Sequence, residues 1–203
     1  ALSYIYAFDN GYLSIRPYDD DGFSGHDLPR RIAVDISDII DYGRERLLAA
    51  DDHRIVMSAL SAGINTVHSS SMGRLFDGVA ALLGIKDYND YEGQCAIMLE
   101  DAAAFARKNP TEDIASDLAL TFHERISDMI LQQCLAARAE HKVSQVALTG
   151  GTFQNKILME DVLEKLRANG FTPYYNISVS PNDGGIALGQ AYVAAHRGGE
   201  YAG

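Results

Sequence analysis

Two glycine pairs carry the densest chemical signal in this chain. Val146-Ala147-Leu148-Thr149 runs into Gly150-Gly151, with Thr152-Phe153-Gln154-Asn155 behind it, and Ser180-Pro181-Asn182-Asp183 runs into Gly184-Gly185. Glycine lets a backbone approach a ligand because no Cβ stands in the way, and a helix starting just after such a turn aims unpaired N–H groups at an anion or a ribose. Asp183 would stand at the mouth of the cleft that the first turn opens, where a carboxylate could hold a divalent metal against nucleotide phosphates. A plainer reading stays open: both glycine pairs cap helices, and Asn182 and Asp183 form an Asx turn or an N-cap. A third polar cluster, Ser69-Ser70-Ser71 before Gly73 and Arg74, opens a helical pattern that carries Asp77 about one turn in. Asp77 could accept hydrogen bonds from a ribose, and Arg74 could answer phosphate or carboxylate charge. Here too the alternative is structural, a serine N-cap with a surface Arg74–Asp77 pair.

The elements that must hold these residues follow from periodicity. Leu158, Val162 and Leu166 recur at i, i+4 and i+8 and Gly170 falls where a C-cap belongs, so a helix follows the first glycine turn. Thr172-Pro173-Tyr174-Tyr175-Asn176-Ile177 reads as a strand, and Leu188, Ala191, Tyr192 and Ala195 form one stripe of a helix after the second turn. The unit is β-α-β-α, with both glycine turns expected on the same edge. Upstream, Ile32, Ile36, Ile39 and Ile40 share a face of a helix over 30–50, and Ile114, Leu118, Phe122, Ile126 and Ile130 line a second helix. Both read as core helices, with His123 and Glu124 a surface pair on the second. A tyrosine-rich stretch, Tyr4-Ile5-Tyr6-Ala7-Phe8, the turn Asp9-Asn10-Gly11 and Tyr12-Leu13-Ser14-Ile15-Arg16 predict a hairpin. Residues 18–29, rich in Asp and Gly, are the expected loop or hinge.

Taken together, Thr66 to Gly84, Tyr91-Glu92-Gly93-Gln94 and the two glycine turns occur in the order of the C-terminal part of the HypF family of carbamoyltransferases, which this chain resembles over about residues 60–100 and 118–196. Those enzymes act in nickel-iron hydrogenase maturation. The resemblance implies an α/β fold of the actin-like ATPase superfold, shared with sugar kinases and heat-shock ATPases. This chain would be its C-terminal subdomain, a small mixed sheet of the hairpin and the two later strands flanked by helices. Residues 1–203 would form a single nucleotide-binding subdomain, a fragment or permuted piece lacking an N-terminal lobe. It also implies ATP contacts at Gly73, Arg74, Asp77, Glu92, Gly150, Gly151, Asn155, Gly184 and Gly185, and ligation by Asp183 of a divalent metal, Mg, Fe or Zn. In the family, carbamoyl phosphate and ATP give a carbamoyl-adenylate, and the carbamoyl group passes to a terminal cysteine of a HypE-like acceptor protein. No side-chain nucleophile is required of this chain. An O-carbamoyltransferase of a small-molecule hydroxyl and a non-catalytic partner-binding scaffold are the competing readings.

Departures from the family pattern are equally definite. Upstream acylphosphatase-like, zinc and adenylate-forming domains are not visible, and the two cysteines, Cys95 and Cys134, have no metal-binding spacing. The family's paired histidines on a helix of the other subdomain have no counterpart, because His26, His53, His68, His123, His141 and His196 are scattered. The hairpin opens the chain instead of lying between the Tyr-Glu-Gly-Gln region and the Phe122-His123 helix.

Composition bounds the rest. With 203 residues and 47% apolar content the chain can bury a globular core. A net charge of −11 argues against broad nucleic-acid binding, which draws on Lys and Arg. Asp19-Asp20-Asp21 and Asp51-Asp52 lack the spacing of a calcium loop and read as solvated. No apolar run has the length of a membrane span, and two cysteines without a signal segment fit a reducing cytoplasm.

Overall fold

The computed structural model describes Ile5, Asp9 and residues 31–49, 53–67, 69, 71–109 and 113–197. Contacts divide the chain into two compact units, residues 1–125 and 126–203. The first contains α1 (Arg31–Leu48), α2 (His53–Ala62), α3 (Met72–Leu82), α4 (Gln94–Lys108) and the start of α5 (Ile114–His141). Among the described residues no helix is long and apolar enough to cross a membrane.

In the first unit the core gathers where α3 packs on α1 and α4. Ile39 and Ile40 of α1, Phe76, Val79 and Leu82 of α3, Leu99 of α4 and Phe122 of α5 are all buried. Gly43 makes the α1–α3 crossing possible, since a Cβ there would lie 2.9 Å from both Cα and C of Leu82. Gly84, at φ +71, ends α3, and the Ile85 N–H returns to Ala80 O at 2.9 Å. Arg46 clasps this helix end, donating to Ala81 O and to Asp87 at 3.2 Å. Asp113 opens α5 by accepting from Ser116 N at 2.9 Å and Ser116 Oγ at 2.6 Å, and these bonds hold its carboxyl below the usual carboxylate range.

The second unit holds the β-α-β-α unit. β1 (Gln145–Leu148) and β2 (Thr172–Tyr175) pair in parallel, Gln145 facing Thr172 and Leu148 facing Tyr175. Between them α6 (Lys156–Ala168) turns Ile157, Leu158, Val162 and Leu166 inward, the stripe that periodicity predicts. Gly170, at φ +75, lets the Phe171 N–H reach back to Leu166 O at 2.9 Å, a Schellman closure. Arg138 locks this corner, with its guanidinium 4.1 Å over the Phe171 ring and Nη1 donating to Asn169 O at 2.8 Å. The last helix is α7 (Ile186–Arg197).

Three expectations change. The expected mixed sheet is, among the described residues, a two-stranded parallel one. Its antiparallel members were to come from the hairpin, but Ile5 and Asp9 are helical, and the rest of that stretch lies outside the described residues. Ile5 is fully buried, and Asp9 accepts two 2.8 Å hydrogen bonds from Arg44 of α1. His123 is buried, not a surface residue: Nδ1 sits 2.7 Å from Ala119 O and the rings of Phe76 and Phe122 meet it edge-on. The acidic runs at 19–21 and 51–52 and the loop 18–29 also lie outside the described residues.

Candidate nucleotide site

In the second unit both glycine turns occupy the carboxyl edge of the parallel pair, because both strands run the same way and each leads into one. They are tied together directly. Gly150 N–H donates to Pro181 O at 2.9 Å, and Asn182 Nδ2 lies 3.4 Å from Gln154 Oε1. The expected shared edge is thus observed as a joined pair of turns.

Each turn needs its glycines for a specific reason. Gly150 has φ +105 and ψ 156, a region that side chains disfavour. A Cβ on Gly185 would lie 2.6 Å from Ser180 O and 3.3 Å from Val179 Cγ1. The result is a bare backbone surface at the strand ends, with α6 and α7 starting just behind it.

Asn155 and Asn182 serve as caps. Asn155 is buried, and its Oδ1 accepts from Leu158 N at 2.9 Å at the start of α6. Asn182 Oδ1 accepts from Gly184 N at 2.9 Å and from Ser180 Oγ at 2.5 Å. The capping alternative therefore holds for Asn182, Asn155 caps where only a ligand contact was expected, and Asp183 is left exposed as the first residue of the short 3-10 turn Asp183–Gly185. The sequence singled out Asn155 as a ligand contact; its cap signal was present too, an Asn immediately before the Leu158-Val162-Leu166 stripe.

The other expected contacts lie in the first unit. Ser71 is the N-cap of α3, accepting from Arg74 N at 3.5 Å, and Ser71 N donates to Ser69 Oγ at 3.2 Å. Gly73 and Arg74 are exposed on that first turn. Among the described residues no ion pair joins Arg74 to Asp77, so the surface-pair reading does not hold. Asp77 instead keeps Oδ1 buried without any hydrogen-bond partner. An unsatisfied buried oxygen of this kind costs about 1–3 kcal/mol, and no donor to it occurs among the described residues. Glu92 is exposed in the turn before α4, where Gly93 adopts φ +79 as the N-cap. The rest of that segment closes the turn: Gln94 Oε1 accepts from Asp90 N at 2.8 Å, and Asn89 Oδ1 accepts from Cys95 N at 2.7 Å.

In the second unit the glycine turns fit a polar ligand such as a phosphate or a ribose better than a metal, because they expose free backbone. For a metal, Asp183 is a single exposed carboxylate, and no group of three or more His, Cys, Asp or Glu capable of holding an ion occurs among the described residues. Neither cysteine is primed as a nucleophile, because burial raises the pKa of Cys95 and of Cys134.

A family model described as "Carbamoyltransferase, Kae1-like Domain, second subdomain" matches residues 26–115 and 104–190. The carbamoyltransferase HypF of Rhodobacter capsulatus is 37% identical over 190 residues, covering 83% of this chain and 25% of that protein. A crystal structure of full-length HypF in a phosphate- and nucleotide-bound form aligns with a TM-score of 0.65 at 29% identity, covering 80% of this chain and 25% of that one. The crystal structure of T. kodakarensis HypF shares the fold, with a TM-score of 0.59 at 22% identity. The chain thus spans about a quarter of the length of the HypF proteins it matches. With a family model matching across most of its length, this chain belongs to the HypF carbamoyltransferase family, in the second subdomain of its Kae1-like domain.

Proposed function

We propose that this chain is the nucleotide-binding half of a cytoplasmic carbamoyltransferase of nickel-iron hydrogenase maturation. The observation that carries the reading is the Gly150 N–H to Pro181 O bond, which joins the two glycine turns into one bare surface at the strand ends of a HypF-family chain. The nucleotide-bound state of the full-length HypF structure and the orphaned Asp77 oxygen support it. In this reading carbamoyl phosphate loses inorganic phosphate to give carbamate, and a carbamate oxygen takes the adenylyl group of ATP with release of pyrophosphate, so that AMP leaves when the carbamoyl group passes on. The acceptor is a terminal cysteine thiol of a HypE-like protein.

The chain's own residues bind and orient. In the second unit Gly150, Gly151, Gly184 and Gly185 accept phosphates or ribose against backbone; in the first, taken by itself, Asp77 is the candidate for a ribose hydroxyl and Arg74 for anionic charge. Asn155 acts by fixing the start of α6, whose N–H groups face the turn. Asp183, exposed at the second turn, would be the residue to offer a carboxylate oxygen to a divalent metal held against the phosphates. Calorimetric titration with ATP, with and without magnesium, tests the reading. Saturable binding that Asp77→Asn weakens supports it. The absence of binding both to this chain and to a full-length protein carrying it would overturn it.

A further inference from the structure

The corner between α6 and β2 joins Asn169 to Gly170, a pair whose own atoms can react with each other. The backbone nitrogen of a glycine can attack the side-chain Cγ of the asparagine before it, because glycine has no Cβ to hinder the approach. Both residues are exposed, so water and base reach them.

Around this pair the fold occupies each group that the reaction needs. The Gly170 N–H donates to Arg167 O at 3.0 Å, which holds the proton that the nucleophile must lose. Asn169 Nδ2 donates to Lys165 O at 2.9 Å, and the Asn169 N–H donates to the same carbonyl at 3.1 Å, so the side chain is pinned back along α6. Asn169 O accepts from Arg138 Nη1 at 2.8 Å, with the guanidinium seated over the Phe171 ring. Ring closure also requires the Gly170 nitrogen to eclipse Cβ about the Cα–C bond of Asn169. At ψ 16 that nitrogen instead lies nearly eclipsed with the backbone nitrogen of Asn169.

We propose that Asn169 is a deamidation site that the folded corner keeps shut, with Arg138 as its latch. When the corner opens, Gly170 N bonds to Asn169 Cγ and gives up its proton, Nδ2 leaves as ammonia, and a cyclic imide remains. Water then opens the imide at either carbonyl, to an aspartyl residue or to an isoaspartyl linkage. No oxidant, reductant or further reactant is consumed.

Neither product rebuilds the corner. An aspartyl carboxylate turns an acceptor toward Lys165 O, where the amide offered a donor, and adds negative charge at the negative end of α6. An isoaspartyl linkage lengthens the main chain just before the Phe171 N–H to Leu166 O closure and before β2, where the Thr172 N–H meets Ser144 O at 2.8 Å. Since β2 leads into the second glycine turn, an irreversible change at this corner reaches the strand that carries that turn. The inference is independent of nucleotide binding and of family membership.

Peptide mapping by mass spectrometry tests it, following the amide-to-acid mass gain at Asn169 in mildly alkaline buffer, with the chain either folded or in denaturing urea. Conversion should be at least about tenfold slower in the folded chain, since local opening must precede attack. Arg138→Ala should raise the folded-state rate severalfold, and Asn169→Ser should remove the signal from every sample. Equal rates in the folded and unfolded chain would overturn the gate, and no conversion in urea would overturn the site. A folded Arg138→Ala variant as slow as the parent would overturn the latch. If that variant does not fold, sub-denaturing urea decides on the parent: conversion that climbs before the global transition upholds a local opening, and conversion that rises only with global unfolding defeats it.

Discussion

Asp77 and Asn155 look alike as polar residues near helix starts, yet the structure separates their roles. Asp77 has a buried carboxylate oxygen with no donor, so Asp77→Asn should leave the melting temperature of the free chain equal or higher. The same change should weaken ATP by about tenfold or more, since hydrogen bonds to charged groups contribute about 1.5–3 kcal/mol. Calorimetry beside a thermal melt reads both, and a destabilised variant with unchanged ATP affinity would remove Asp77 from the site. Asn155 already has an occupation, capping α6 through Leu158 N. Asn155→Ala should lower stability in urea by about 1 kcal/mol, whereas Asn155→Asp, which also caps, should retain most of it. An Asn155→Ala variant as stable as the parent would contradict the cap. Sequence alone could list these residues but not rank their roles, because motif spacing shows which side chains approach a turn and not which atoms are already satisfied. His123 illustrates the same limit: its neighbours in sequence suggested a helix surface, while its burial depends on Phe76, far away in the chain.

Among the elements, the β-α-β-α unit was legible almost residue by residue. Its signals are local: a stripe repeating every four residues on α6, Gly170 at the helix end, and glycine pairs after each strand. The hairpin expectation failed at Ile5 and Asp9 because Asn-Gly is also only a local signal, while Ile5 and Asp9 are held by long-range burial and a bidentate pair with Arg44. Close element crossings are equally invisible in sequence, and they make sharp predictions. Gly43→Ala should destabilise the first unit by about 1–3 kcal/mol, since the added carbon meets backbone of Leu82 that cannot swing aside. Gly73→Ala, where the nearest atom is 4.0 Å away, should instead be neutral or stabilising in α3. Chemical denaturation of both variants checks the contrast, and equal effects would contradict the crossing. At the start of α5, Asp113 has a lowered pKa because Ser116 donates to its ionised form. A lowered folded-state pKa means the stabilisation is complete above the ordinary carboxylate pKa and disappears as pH falls through the folded value. The melting-temperature gap between the parent and Asp113→Ala should therefore be open near pH 6 and close in strong acid. A gap independent of pH would mean that the cap acts without ionisation.

For the molecule as a whole, family and general class were readable because four short motifs recur in one order, and order survives where overall identity is modest. The division into two compact units was not readable, since α5 runs unbroken through the boundary and no glycine or proline marks it. Nor was the exposure of the last helix: periodicity shows its apolar stripe, while only accessibility shows that Leu188 and Tyr192 are exposed. Charge acts at this scale as well. With a net charge of −11 the folded chain repels itself, while ion pairs such as Arg44 with Asp9, Arg46 with Asp87 and Lys86 with Asp90 are solvent-facing. Exposed pairs of this kind contribute little, about 0–1 kcal/mol each, so screening them loses less than screening the general repulsion gains. Raising ionic strength from about 10 mM to about 150 mM shortens the screening length from about 30 Å to about 8 Å and should raise the melting temperature. Differential scanning calorimetry in sodium chloride reads this directly. A fall with salt would mean that the ion pairs outweigh the net charge, and the acidic surface would then be a stabilising network instead of a load the core must overcome.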